Sequence, residues 1–481
     1  MTSDFDSTAD SRSGPSEAAA PSWPQLRLDR DVDVCVVGAG LAGLTVAYEL
    51  ARGRLSVAVL EARQIGWSAS GHMLGTVRPG YGVPPTELIE RIGLHHAKDL
   101  WVLSSYGADY VRAIAAQIPE LAIGEGALEV STIESGDQLI ERLTLLGNEF
   151  GTAVEGWQIE QVREALVTDR YFHGVYYPGA FQLDGRRYLH GLAALAAQAG
   201  ARIYEGTEVV SIDPDGIRKR IVTPQARLRA SHIVLAGNVH LGAPHQRLTD
   251  TLLPVWRYAG VTAPLGERLA EAIRFSGSVA DSHGIDHFRV VGEDRLAWSS
   301  PETTFSMAPE RMAKSIARRI RTVFPQLGEV AIERCGCGVI GQTVHGMPQI
   351  GQLQHGLWVA SGFGRQGLNS SALAGKLIAQ AILTGDDRWK LFAPYELVWV
   401  GGNIGRVAGQ AISWATRGHA AAQGAVARYR ERARARQLAR EERREAALAM
   451  RNAPPAEQPP PELTDAAAAA PARDNVSPPP R

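Results

Sequence analysis

An α/β fold is predicted from three observations. Residues 32–37 and 56–60 are short β-branched and apolar runs that bracket a helical stretch at about 42–52, a β-α-β unit. Residues 188–238 and 356–383 supply more strands and helices of the same kind. Residues 98–187 and 246–340 differ in character, and the second of these blocks is rich in Trp, Tyr, Phe and His with alternating runs such as HFRVVGEDRLAWSS. The expected architecture is a Rossmann-like domain (30–97, 188–245 and 341–385), a mixed α+β domain inserted into it twice (98–187 and 246–340), and a C-terminal helical extension (386–450).

The first unit carries GAGLAG, residues Gly38, Ala39, Gly40, Leu41, Ala42 and Gly43. Gly38 permits the tight strand-to-helix turn, Gly40 lets the backbone approach a pyrophosphate, and Gly43 lets helix pack on strand. The helix start then faces the phosphates with free N–H groups and its positive dipole end. A lone GxGxxG is weak evidence. Here it follows a strand, opens a helix, and is followed 18 residues after Gly43 by Glu61, placed to accept hydrogen bonds from both ribose hydroxyls. That context points to an ADP-containing dinucleotide, whereas a turn serving packing alone leaves Glu61 unexplained. Glu61 also disfavours a 2′-phosphate, although Arg63, two positions on past Ala62, weakens that argument.

Further along, a helix is predicted over 188–200, a strand over 201–213 and a strand over 229–238, all returning to the first sheet. Residues 356–383 give a last strand, a glycine-rich turn and a helix from about Asn369. The polar residues 1–29, which read as neither a secretory signal nor a transit peptide, and the Pro- and Ala-biased residues 451–481 are expected to be disordered.

At 481 residues, 45% of them hydrophobic and 7% aromatic, the chain has room for two or three domains with a large core. A formal charge of −1 provides no overall reason to expect nucleic acid or an anionic membrane as partner. No apolar run approaches the ~20 residues of a transmembrane segment. In the extension, Arg428, Arg432, Arg436 and Arg440 share one helical face, but the opposite face carries Ala rather than large apolar residues, so a solvated helix is favoured over a membrane or nucleic-acid anchor. Three cysteines, Cys35 in a strand and Cys335 with Cys337, make no disulfide framework, and one CxC pair is a weak metal site. No metal is expected, and the cytoplasm is the expected compartment.

With GAGLAGLTVAYELA, LEARQIGWSASGHMLG, GARIYEGTEVVSI, HGMPQIG and GLWVASGFGRQGLNSSALAGKLIAQAI in this order, the sequence resembles the FAD-dependent D-amino-acid oxidase superfamily over residues 30–385. That family includes glycine and sarcosine oxidases and γ-glutamylputrescine oxidase. The resemblance implies that the Rossmann-like domain binds FAD and that the inserted domain holds substrate. It implies that Gly66, Trp67, Ser70, Gly71, His72 and Met73 run along the flavin, and that Val209 bonds the adenine through its main chain. Gly362, Phe363, Gly364, Arg365, Gln366, Gly367 and Leu368 would wrap the pyrimidine end of the isoalloxazine. This turn has a physical rationale as well, because the start of the following helix supplies donors and a dipole worth ~0.3 to 2 kcal/mol to negative charge on a reduced flavin. Without the upstream motifs it would read as a plain strand-to-helix loop.

Several positions depart from the family pattern. Amino-acid-specific members place an arginine eight residues before the proline of HGMPQIG; here that position is Ile340. A carboxylate would need another arginine, with Arg365 as first alternative and Arg257 as second, although Arg257 also reads as a surface arginine between Trp256 and Tyr258. His72 and His345 are candidates to orient substrate or perturb the flavin, or simply to wall the cofactor. Trp298 is a candidate lid over the flavin, or core. Leu74 stands where polyamine-type relatives often have glycine. The spacing of CGCG to Pro348 does not match covalent flavin attachment.

The resulting expectation is an FAD-dependent amine or amino-acid oxidase or dehydrogenase. A neutral amine transfers hydride to flavin N5, the imine hydrolyses, and oxygen, a quinone or a carrier protein takes the electrons. The rate should rise with pH as the substrate amine loses its proton, and no strong base is required. The rivals are a catalytically silent flavin-binding protein acting through a protein partner, with the arginine-rich extension serving assembly, and a nicotinamide dehydrogenase.

Overall fold

A computed structural model describes residues 22–452. Residues 1–21 of the expected lead-in and 453–481 of the expected tail lie outside the described residues. The chain starts with β1 (Arg30–Val37), α1 (Leu41–Arg52) and β2 (Val57–Leu60). It crosses to a second sheet through β3 (Thr76–Val77), α2 (Pro85–Ile92), α3 (Leu94–Ala115), β4 (Ile123–Val130), α4 (Gly136–Thr144), β5 (Glu155–Trp157), α5 (Ile159–Ala165) and β6 (Gly174–Leu183). It returns with α6 (Gly185–Gln198), β7 (Arg202–Tyr204), β8 (Ser211–Asp213), β9 (Lys219–Val222) and β10 (Arg227–Leu235). A second excursion comprises α7 (Gln246–Thr249), β11 (Leu253–Thr262), α8 (Glu267–Ala272), β12 (Ser278–Asp281), β13 (His287–Val291), β14 (Arg295–Ser299), α9 (Pro309–Val323) and β15 (Ile332–Gln342). The final return is β16 (Gln349–Gln354), β17 (Leu357–Ser361) and α10 (Gly367–Thr384), followed by α11 (Gly402–Asn452).

The first sheet has the order β16-β17-β10-β1-β2-β7, parallel from β17 to β7. Its central strands are buried on both faces, as parallel sheets are. Val34, Val36, Val57 and Val59 enter one core with α1 and α10, while Cys35, Val37, Ala58 and Leu60 enter another. The second sheet has the order β15-β11-β14-β13-β12-β4-β6-β3 and is mixed, since β12 and β4 run parallel and its other neighbours antiparallel. The fold is therefore α/β, a Rossmann-like FAD-type domain with an inserted mixed-sheet domain and a C-terminal helical region.

Details differ from the sequence reading, each for a local reason. The strand expected over 201–213 is two short strands, because the chain turns at Gly206 (φ +58°) and Glu205 is spent on the backbone N–H groups of Trp23 (3.0 Å) and Ile65 (2.7 Å). Those bonds, with Leu26 buried and its N–H donating to Thr207 Oγ1 (3.0 Å), hold residues 22–29 in place rather than leaving them as a loose lead-in. The boundary expected at 98 falls inside α3, which packs along α10 of the first domain. Phe392 and Tyr395, assigned to the extension, are buried in the core of α1 and α10. The described residues to Arg428 form one compact unit, and α11 from Tyr429 belongs to a second. In the first, Arg406 Nε donates to Thr304 O (3.2 Å) and Thr304 N donates to Gln410 Oε1 (2.8 Å), docking the start of α11. Among the described residues no helix is long and apolar enough to cross a membrane.

Candidate active site

The C-terminal ends of β1, β2 and β10 open onto one cavity of about 860 Å³, open solvent included. Gly38 turns the chain there with φ +104°, and a Cβ on Gly43 would sit 2.0 Å from Gly38 O, so α1 rests directly on the turn. Glu61 ties this corner together. One of its oxygens accepts from Ala39 N (2.9 Å), the other from Arg63 N (3.0 Å) and the Trp67 indole (3.1 Å). Burial pushes its carboxyl up, against the pull of those donors. Gly38, Gly40, Ala62, Gly66 and Val209 also line this space. Arg63 lies over the Trp67 ring at 4.5 Å, while Ala42 and Gly43 lie in α1 and are buried.

A second cavity, again about 860 Å³, continues from the first through shared Ala69, Ser70 and Asn238. Leu41, from the first glycine turn, and Phe363, Gly364, Arg365, Gly367 and Leu368, from the late one, line it together. His72, Met73, Leu74 and Ile340 form further wall. Gly71 packs under the segment, where a Cβ would lie 1.9 Å from Gly66 O. Gly362 stands behind the wall and donates its N–H to Asn238 Oδ1 (3.3 Å), whereas Gln366 faces a neighbouring cavity. The late helix begins at Gly367, two residues before the expected Asn369.

Asn238 and His240 were not singled out from the sequence. Asn238 adopts φ +52° at the end of β10, and His240 Nε2 lies 2.9 Å from Ser68 Oγ with its ring 4.5 Å from Trp67. The signal was available, because ligands of open α/β sheets bind beyond the carboxyl ends of the strands and β10 ends there beside β1.

The polar end of the slot is built by the second sheet. Arg257 is not at the surface: its side chain is 15% exposed and lines the cavity, with Nε and Nη2 donating to Ser299 Oγ (3.1 and 2.9 Å). In the β11–β15 register Ile340 faces Val255 and Gly338 faces Arg257, so Arg257 stands two steps along the adjoining strand from the residue opposite Ile340. Arg365 makes a two-pronged pair with Glu302 (2.7 and 2.9 Å), and Arg257 Nη1 lies 3.6 Å from the same carboxylate. Burial works to raise the Glu302 carboxyl, but the two arginines hold it below the usual range. His287, 3.4 Å from Arg257 Nη2 and 3.0 Å from Thr76 Oγ1, is held well below the ordinary imidazole value by burial and by Arg257, Arg78 and Arg289. His72 is lowered by burial and by Arg186. Both rings are neutral at pH 7.

Three readings of the sequence are corrected. Trp298 is no lid: side chains alternate along β14, so Ser299 faces the cavity while Trp298 is fully buried in the opposite core, stacked on Phe288 at 4.4 Å. His345 lies away from the slot, its Nε2 3.2 Å from Glu396 O. Arg257 is a wall of the cavity rather than a surface group. Cys335 and Cys337 pack against the second core as free thiols, and no metal-holding cluster occurs among the described residues.

A glycine turn over a buried carboxylate, joined to a second glycine turn 324 residues on (Gly38 to Gly362) by two adjoining cavities, defines a flavin-type dinucleotide oxidoreductase. Residues 33–381 match the family described as "DAO: FAD dependent oxidoreductase", and the chain belongs to that family. It is 28% identical over 383 residues to a probable oxidoreductase OrdL of Haemophilus influenzae (77% of this chain, 87% of the relative). It is 26% identical over 381 residues to the γ-glutamylputrescine oxidoreductase of Escherichia coli (75% and 86%). The crystal structure of glycine oxidase from Geobacillus kaustophilus shares the fold with a TM-score of 0.64 and 23% identity, covering 76% of this chain and 98% of that one. FAD fits the residues present: the backbone at Gly38 to Gly40 and the Glu61 carboxylate suit the adenosine diphosphate, and the space between Leu41 and Phe363 suits a flat ring system.

Proposed function

We propose that the protein oxidises the carbon–nitrogen bond of an amine or amino acid. The observation that carries this reading is the single slot joining both glycine turns and ending against Arg257. The names of two relatives, a γ-glutamylputrescine oxidoreductase and a glycine oxidase, support a nitrogen-bearing substrate. FAD, when bound, supplies a two-electron acceptor for the carbon–hydrogen bond beside nitrogen, and the protein supplies position and polarity. Gly38, Ala39, Gly40, Glu61, Gly66 and Val209 would hold the adenosine end. Ser70, Gly71, Met73 and the late turn from Gly362 to Leu368 would hold the flavin.

Arg257, fixed by Ser299 and Glu302, offers charge to a substrate carboxylate or other polar group. Thr76 and neutral His287 shape the wall beside it, and His72 walls the cavity as a neutral ring. None of these is a strong base, which agrees with a substrate that binds as the free amine. The imine then takes up water to give a carbonyl compound and ammonia or a smaller amine.

Anaerobic mixing of the yellow protein with a panel of amines and amino acids tests the reading. Loss of the visible flavin band with at least one of them is expected, and a yellow protein inert to all would overturn the reading in favour of a silent flavin carrier. Comparing oxygen with a quinone analogue as reoxidant then identifies the acceptor.

A further inference from the structure

Beyond Arg257 lies another cavity, about 1220 Å³ with open solvent included, which meets the flavin-end cavity at Thr76, Arg257, His287 and Arg365. Its far wall repeats the arrangement of the near one. Glu129, with a side chain 10% exposed, is gripped two-pronged by Arg142 (2.7 and 2.8 Å), and Arg78 Nη2 lies 3.3 Å from the same carboxylate. At the near end Glu302 is gripped by Arg365 and approached by Arg257 in the same way. Four guanidinium groups thus line or enter the cavity against two firmly paired carboxylates. The third acid on the wall, Asp281, already accepts from the backbone N–H groups of His283, Ile285 and Asp286. Burial and neighbouring Asp286 raise its carboxyl, which weakens its offset of the excess without removing it.

Arg78 and Arg257, with side chains 22% and 15% exposed, lie largely out of water, where positive charge in excess is costly unless an anion completes it. Tyr177 is buried on this wall, with Arg78 over its ring at 5.0 Å and its hydroxyl turned to Arg142, so the two arginines are held in place at the cavity surface. With its amide oxygen turned toward Arg78, Gln366 of the late glycine turn accepts from Nε (3.3 Å) and Nη2 (3.1 Å), which links this wall to the flavin end. Between the two walls Tyr81, Val83, Trp101 and Leu146 provide apolar surface for a hydrocarbon spacer.

We propose that this cavity is a subsite for a carboxylate-ended tail of the substrate, with Arg78 as its ligand and Arg142 and Glu129 as the frame that positions it. The substrate class is then an amine whose reacting end lies against the flavin and whose far end is anionic. A diamine tail would place a second cation among four guanidinium groups, and an uncharged tail would leave the surplus uncompensated. The inference rests on the proposed amine oxidation for its substrate, but its binding test does not require turnover.

The test uses the flavin-loaded protein and unreactive ligands, the straight-chain dicarboxylates from succinate to suberate and the monocarboxylates of equal length. Binding is read by calorimetry and by perturbation of the visible flavin spectrum. The best dicarboxylate is expected to bind at least about 10-fold more tightly than its monocarboxylate, and Arg78→Met to erase a preference of about 10- to 100-fold, the range for one charge-assisted hydrogen bond. Equal affinity of the two ligand sets in the unsubstituted protein overturns the subsite, whether or not the variant folds. So does a preference that survives Arg78→Met. Failure of every amine to bleach the flavin while the dicarboxylate preference stands would instead sink the reaction and leave the subsite.

Discussion

At the proposed adenosine end of the slot the geometry is set by backbone: Ala39 and Arg63 N–H groups converge on Glu61, and Gly38 and Gly43 set the distance between strand and helix. At the proposed substrate end it is set by side chains. Arg257, Glu302 and Arg365 come from β11, from the loop after β14 and from the late turn, brought together across more than 100 residues of chain. A backbone site tolerates no change of glycine but many changes of neighbour. A side-chain site depends instead on its charge balance, here two guanidinium groups against the Glu302 carboxylate.

The sharpest way to break the comparison is at Gly43. Its Cβ would overlap Gly38 O at 2.0 Å, a backbone atom that moves only if α1 lifts off the sheet. Gly43→Ala is expected to weaken FAD binding by about 100-fold or more, about 3 kcal/mol. The readout is the flavin content of the purified protein, with circular dichroism showing whether the fold survives. Retention of full flavin content would mean that the turn is not the phosphate site.

At the other end, Glu302→Gln leaves two guanidinium groups facing each other. Breaking a buried pair costs about 3 to 5 kcal/mol, and the lower end applies here because Arg365 is 43% exposed and can turn to water. Urea denaturation of the variant should show that loss, whereas flavin content should hold, since Glu302 is not among the residues lining the adenosine end. A parallel loss of flavin would show that the two ends are not separable.

This contrast also explains what the sequence made readable. The β-α-β unit, the glycine turn, Glu61 and the late strand–turn–helix are local patterns, and local patterns survive in a linear reading. The strand expected over 201–213 broke because Glu205 serves Trp23 and Ile65, contacts across 182 and 140 residues. Trp298 reads equally as lid or core because an aromatic in an alternating strand has two faces to choose from, and only register says which one meets the cavity. Asn238 and Glu302 carried no motif at all. Their parts are set by what stands opposite in the folded chain, Gly362 in one case and two arginines in the other.

Acid sets a milder test that touches both ends. Burial and Arg63 lower His240 from the ordinary 6.5 to about 4, and burial and three arginines hold His287 well below the ordinary value. Each ring is neutral when folded and takes a proton when unfolded, so the unfolded chain binds more protons below about 6.5 and stability falls as pH drops from there toward 4. The slope is at most about 1.4 kcal/mol per pH unit for each histidine. His240→Asn should flatten it by one histidine's share in denaturation series between these pH values. An unchanged slope would mean that the ring is already solvated in the folded protein.

The smallest effect is expected on β15, the strand that passes between the two ends. Gly336 and Gly338 lie against His72 and Ala69 on the cavity side, so alternation turns Cys335 and Cys337 to the opposite face, against the second core. Burial pushes the two thiols up to about 11 and about 12. At pH 7 the more acidic of them is thiolate in about one molecule in ten thousand, too little to attack flavin or alkylating reagent at a useful rate. The double variant Cys335→Ser and Cys337→Ser is therefore expected to keep its flavin, release it on denaturation as the parent does, and change in stability by about 1 kcal/mol or less. Flavin that stays with the parent chain after denaturation but leaves the variant would show a covalent bond from this strand, and would require β15 to present its other face to the slot.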